Sequence, residues 1–143
     1  MPDRRLAVDA WESLFRAQHA VFEAIRVDFS ETTLGQGEYD VLLTAVRAPG
    51  RTARLRDITA NMLISQPSVS RLVDRMVARG LVTKCSDPDD GRGALVTATD
   101  EGERAFRQVA LRHGASIAKR MSALDDDELR TLISLTQRLR DAD

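Results

Sequence analysis

The strongest constraint on this chain is a switch of hydrophobic period, from that of a helix to that of a strand, across Gly80. Val69, Leu72, Val73, Met76 and Val77 fall at i, i+3, i+4, i+7 and i+8, which places them on one apolar face of a helix. Gly80 supplies a stop. Beyond it, Leu81-Val82-Thr83-Lys84-Cys85 and Ala94-Leu95-Val96-Thr97 read as two short strands. The intervening Ser86-Asp87-Pro88-Asp89-Asp90-Gly91-Arg92-Gly93 is turn-rich and reads as a hairpin tip.

The segments on either side extend the pattern. Trp11, Leu14, Phe15, Val21, Phe22, Ile25 and Phe29 lie at helical spacing, and nothing breaks that helix before about Ser30. Gly35 and Gly37 punctuate, and Tyr39, Leu42, Leu43 and Val46 give a second helix that ends at Ala48-Pro49-Gly50. A short extended piece at Ala53-Arg54-Leu55 leads into Asp57-Ile58-Thr59-Ala60-Asn61-Met62, long enough for two helical turns. Short helix, longer helix and hairpin are in the order of a winged helix-turn-helix. Thr99 can cap a further long helix carrying Phe106, Val109, Ile117 and Met121, and Asp125 with Glu128 forms a capping-box pattern before Leu129, Leu132, Ile133 and Leu139. The fold class is therefore mostly α with a two- to three-stranded β wing. The flanking helices carry more apolar stripe than a winged lobe needs, so their partner is read as a second copy of the chain.

The start of the helix after Ile64 is small and polar. Ser65 can act as its N-cap, and Pro67 in the first turn sacrifices no intrahelical hydrogen bond. Opposite the Val/Leu stripe the helix presents Gln66, Ser68, Ser70, Arg71, Asp74 and Arg75. Small hydroxyls permit close approach to a groove, Gln and Arg match the donor and acceptor patterns of base edges, and serines at a helix start can hold phosphate.

Charge agrees with that reading. Residues 47–84 hold Arg47, Arg51, Arg54, Arg56, Arg71, Arg75, Arg79 and Lys84 against Asp57 and Asp74, a net charge of +6 inside a chain whose total is −1. A basic block between acidic flanks suits a polyanion. Hydrophobic residues at 43% and charged residues at 30% argue against disorder. No apolar run reaches the length of a membrane span and no secretory signal is visible at the start, so the expected location is the cytoplasm. Cys85 has no second cysteine to pair with, His19 and His113 have no second ligand at metal spacing and read as ordinary surface or interface residues, and no phosphate loop or catalytic triad pattern is present. Neither a metal, a cofactor nor an enzymatic activity is expected.

Three stretches carry a more specific resemblance: Gly37-Glu38-Tyr39-Asp40-Val41-Leu42-Leu43, Gln66 to Val82, and Asp87 to Gly102 with its Asp-x-Arg wing before Thr-x-x-Gly. Together they make nearly the whole chain resemble the multiple antibiotic resistance regulator (MarR) family of transcription factors. The resemblance implies one domain over 1–143, with dimerisation helices at about 1–34 and 100–143 and a DNA-binding lobe at about 36–99. It further implies a homodimer on a palindromic operator of double-stranded DNA, a recognition helix at about 65–79 in the major groove, and Arg92, oriented by Asp90, in the minor groove. Arg54, Arg75 and Arg79 are expected at phosphates. Where relatives often carry another basic wing residue this chain has Gly91, which implies a weaker or more mobile wing contact.

Most members of that family are repressors released by a small anionic or phenolic molecule, so Trp11, Phe15 and Tyr39 become candidates for an effector pocket, against the alternative that such aromatics are simply core. Others respond to thiol oxidation, which makes Cys85, next to Lys84, a redox candidate. A winged helix used as a protein-interaction module is the remaining alternative.

Overall fold

A computed structural model describes residues 1–29, 34–63 and 67–142. They form two compact units, one of Met1–Ile25 with Gly114–Asp143 and one of Arg26–His113. Among the described residues no helix is long and apolar enough to cross a membrane.

The first unit holds helix α1 (Arg4–Ile25), the end of α5 (Asp100–Met121) and α6 (Asp126–Arg140). The Asp3 carboxylate starts α1 by accepting the N–H groups of Arg5 at 2.8 Å and Leu6 at 3.1 Å. The capping box expected before α6 is present: Glu128 N–H donates to Asp125 at 2.9 Å and Asp125 N–H donates to Glu128 at 3.1 Å. Neither α1 nor α6 buries a residue within the single chain. Trp11, Phe15, Ile133 and Leu139 are each more than half exposed.

The second unit is the winged lobe. It begins with a 3-10 turn, Arg26–Phe29, followed by α2 (Gln36–Arg47), β1 (Thr52–Arg54), α3 (Leu55–Ala60), α4 (Val69–Ala78), β2 (Val82–Asp87), β3 (Asp90–Ala98) and the first part of α5. The sheet is antiparallel in the order β1-β3-β2, with Ala53 opposite Val96 and Lys84 opposite Val96 from the other side. Its core joins Val41 and Leu42 of α2, Ile58 of α3, Val73 and Met76 of α4, Val82 and Val96 of the sheet, and Phe106 and Val109 of α5. Each such side chain contributes about 1.5–3 kcal/mol by leaving water. The α4 stripe read from the sequence is thus the core face, although Val77 at its edge stays 39% exposed.

Three chain reversals lock these elements. Gly80, at φ +75°, ends α4 in a left-handed cap, with Gly80 N–H bonded to Val77 and Leu81 N–H bonded to Met76, both at 3.0 Å. The Thr99 hydroxyl donates to the Gly80 carbonyl at 2.6 Å and receives the Gly102 N–H at 3.0 Å, so one side chain fastens the end of α4 to the start of α5. Arg51 also adopts a left-handed backbone, at φ +55°, a conformation costing about 1–2 kcal/mol outside glycine. Its guanidinium bonds Asp100 at 2.9 Å and Glu103 at 2.6 Å on α5.

Several sequence expectations change. The helix expected from Ser65 starts at Val69, and its N-cap is Ser68, whose hydroxyl accepts Arg71 N–H at 3.2 Å. Pro67 precedes the cap instead of lying in the first turn, while Ser65 and Gln66 fall outside the described residues. Ser68 has an extended backbone, at φ −151° and ψ 105°, so the helix begins only after it. The strands are longer than expected and leave only Pro88-Asp89 between them, because the tip residues pair as Ser86 with Ala94 and Asp87 with Asp90. Between those two pairs β3 carries Gly91, Arg92 and Gly93 with nothing opposite, a bulge with Arg92 at its centre.

Candidate nucleic-acid interface

The solvent face of α4 follows from its core face. With Val69, Leu72, Val73 and Met76 buried, the helix exposes Ser70, Arg71, Asp74 and Arg75 on its outer side. Ser68 is spent on the cap, which leaves Ser70 as the exposed hydroxyl of the first turn. Lys84 on β2 reaches back to Asp74, with Nζ 3.0 Å from Oδ1. The acid on this face is therefore neutralised internally, while Arg71 and Arg75 point to solvent. At the other end of α4 Arg79 pairs with Glu38 of α2.

The wing is organised by carboxylates. Asp87 is buried, and its Oδ1 accepts Asp89 N–H at 2.9 Å. Asp90, the aspartate expected to orient Arg92, accepts the Arg92 backbone N–H at 3.1 Å. Arg54, expected at phosphate, lies 3.1 Å from Asp87 through Nε and 3.4 Å from Asp89 through Nη2. Arg54, Arg56, Asp87, Asp90 and Arg92 line one open cleft between α3 and the wing.

The remaining candidates fall in separate places. Trp11 and Phe15 stack on each other in the first unit, with ring centroids 5.4 Å apart. Tyr39 belongs to the core of the second, 5.1 Å from Phe106 and 5.4 Å from Phe29. Burial raises the pKa of its phenol above the ordinary value, against the lowering effect of Arg47. Cys85 is exposed on β2.

Sequence reasoning missed one site-like cluster. His113, expected at the surface or an interface, is buried, with Nδ1 3.1 Å from Asp28 Oδ2, and its ring lies 4.9 Å from Phe29 and 5.2 Å from Tyr39. A buried imidazole needs such a partner for its polar atoms. His19 is exposed, as expected. The importance of Asp87 was also missed, because its cation stands far upstream on β1.

Comparison with known proteins agrees with this geometry. The sequence pattern of the MarR family matches residues 32–93. The solved PcaV transcriptional regulator of Streptomyces coelicolor, in complex with its natural ligand, is 30% identical, with 99% of each chain covered and a TM-score of 0.74. BpsR of Bordetella bronchiseptica, whose DNA binding is regulated by 6-hydroxynicotinic acid, is 26% identical over 92% of this chain and 93% of its own, also with a TM-score of 0.74. The HTH-type transcriptional regulator YkoM of Bacillus subtilis is 27% identical over 92% of this chain and 84% of its own. The winged lobe, its exposed helix face and these likenesses together place the chain in the MarR family of DNA-binding transcriptional regulators.

Proposed function

We propose that this protein is a homodimeric, sequence-specific repressor that binds a palindromic operator and leaves it when a small anionic or phenolic effector binds. The observation that carries DNA recognition is the outer face of α4, where Ser70, Arg71 and Arg75 stand exposed with the nearby acid Asp74 tied to Lys84. Arg71 and Gln66 read base edges, Ser68, Ser70 and Pro67 bring the helix start close to the groove, Arg75 and Arg79 meet phosphates, and Arg92 enters the minor groove. Supporting the dimer, α1 and α6 bury nothing alone yet carry Trp11, Phe15, Ile133 and Leu139. Two such lobes place half-sites about one helical turn, roughly 10 bp, apart.

Support for an effector comes from relatives: BpsR responds to an aromatic acid and PcaV was solved with its ligand. Of the candidates for its pocket, Trp11 and Phe15 are exposed on α1, whereas Tyr39 is buried in the core of the winged lobe. A protein with this function works where the DNA is, in the cytoplasm on the nucleoid.

The test is recovery of sheared genomic DNA by the purified protein at moderate salt, followed by sequencing. Enrichment of one palindrome is expected, and uniform recovery would overturn sequence specificity. A second step adds small aromatic acids to the bound operator. Release by at least one supports the effector, and retention with all of them, benzoate- and nicotinate-type included, counts against this ligand class.

A further inference from the structure

Strand pairing in the wing breaks near its tip. Arg92 sits in a three-residue bulge between Gly91 and Gly93, and a Cβ at position 91 would meet nothing within 4 Å. Gly91 has open space around it, while a Cβ at Gly93 would press on Asp90 and Asp87, so the bulge is open on one side of Arg92 and packed against acids on the other. Beside the bulge is a knot of acids. Asp87 accepts Asp89 N–H, Asp90 accepts Arg92 N–H, and the Asp87 side chain is only 3% exposed. A carboxylate buried that deeply requires a cation.

Arg54 supplies it from the end of β1. Its planar guanidinium bridges two of the acids, Nε to Asp87 at 3.1 Å and Nη2 to Asp89 at 3.4 Å, thereby tying the end of β2 to the turn that follows it. The strand that carries it is itself pinned, since β1 pairs with β3 at Arg54 and Leu95, and Arg51 at its start is tied to Asp100 and Glu103 of α5. The tip of the wing is thus fixed to β1 by an ion pair.

We propose that Arg54 and Asp87 are positioning residues for DNA binding: their ion pair sets the direction in which the bulge presents Arg92, and Arg54 does not itself contact phosphate. This rests on the DNA-binding reading above and refines it. A guanidinium already shared between two carboxylates brings no net positive charge to the DNA, whereas a wing whose tip is loosened loses the alignment that lets one arginine enter a groove about 6 Å wide.

The two roles make opposite predictions for Asp87→Asn. If Arg54 is a phosphate contact, removing a nearby negative charge leaves operator affinity unchanged or raises it. If Arg54 and Asp87 position the wing, affinity falls, by as much as Arg92→Ala alone, roughly tenfold. In the Asp87→Asn background the further substitution Arg92→Ala then changes affinity by less than about twofold. Arg54→Lys, which keeps the charge and loses the fork, should behave like Asp87→Asn, and serves in its place should the buried substitution fail to fold. An undiminished Arg92→Ala penalty in either background would overturn the proposal. Amide exchange at Asp89 and Arg92 without DNA separates this from the functional reading: faster exchange confined to the wing in Arg54→Lys supports the clamp even for a protein that finds no operator, and wild-type exchange there refutes it.

Discussion

Lys84 Nζ lies 3.0 Å from Asp74 Oδ1, an ion pair that joins the first strand of the wing to the outer face of α4. The ammonium that could have activated the neighbouring thiol is therefore directed to the helix, and adjacent strand residues point to opposite faces. Cys85 is exposed but has lost its candidate activator. Peroxide should leave operator affinity unchanged in the wild type. Fluorescence anisotropy on labelled operator checks this, and a loss of binding that Cys85→Ser resists would restore the thiol-switch reading.

On α4, Arg71→Ala should cost about 1–3 kcal/mol of binding and relax discrimination at particular operator positions. Removing Arg75 and Arg79 should instead weaken all DNA alike and reduce the slope of log affinity against log salt by about 0.9 per lost contact. A panel of single-base operator variants, each titrated at several salt concentrations, separates the two. Equal weakening of every variant by Arg71→Ala would reassign that residue to the backbone.

Gly102 is where α5 presses onto the turn after α4. A Cβ there would stand 2.0 Å from the Leu81 carbonyl oxygen and 2.9 Å from its carbon, both rigid backbone atoms. Gly102→Ala should therefore destabilise the fold by about 1–3 kcal/mol or more, despite the better helix propensity of alanine. Urea unfolding gives the number, and a neutral or stabilising result would mean that the close approach is easily relieved.

The Glu103 carboxylate lies between Arg107 and Arg51, and hydrogen bonds from Arg107 first and Arg51 second lower its pKa. A carboxylate whose folded pKa is depressed stabilises the fold above its unfolded pKa, and that contribution is lost as pH falls through the folded value. The difference in Tm between wild type and Glu103→Gln should be steady between about pH 6 and 7 and shrink on acidification below roughly pH 4. Thermal scans across that range measure it, and a gap that widens in acid would contradict the assignment.

The elements and their order were legible because their signals are local. Period, capping and turn composition gave α4, the hairpin, the Thr99 cap and the Asp125–Glu128 box from residues close in sequence. The choice between Ser65 and Ser68 was not legible, since Val69 belongs to the apolar face whichever serine caps and only the extended backbone of Ser68 shows where the helix begins. Nor were the ion pairs. Arg54 looked like one more cation in a basic block, and only the antiparallel register brings Asp87 and Asp89 to it. Asp28 and His113 are 85 positions apart, and no spacing rule connects them.

The order β1-β3-β2 leaves β2 as an open edge. An unpaired strand edge is a template for adding another chain's strand, the usual route from a folded sheet to an aggregate. Here the outward residues are guarded by composition: Thr83, Lys84, Cys85 and Ser86 are exposed and carry little apolar surface, and Pro88 stands at the tip. A wing that must stay accessible cannot be covered, so its resistance to fibril-like stacking depends on polarity at these few positions. Replacing Thr83, Lys84 and Ser86 with valine would leave the lobe core untouched and still give a chain that polymerises through its wings.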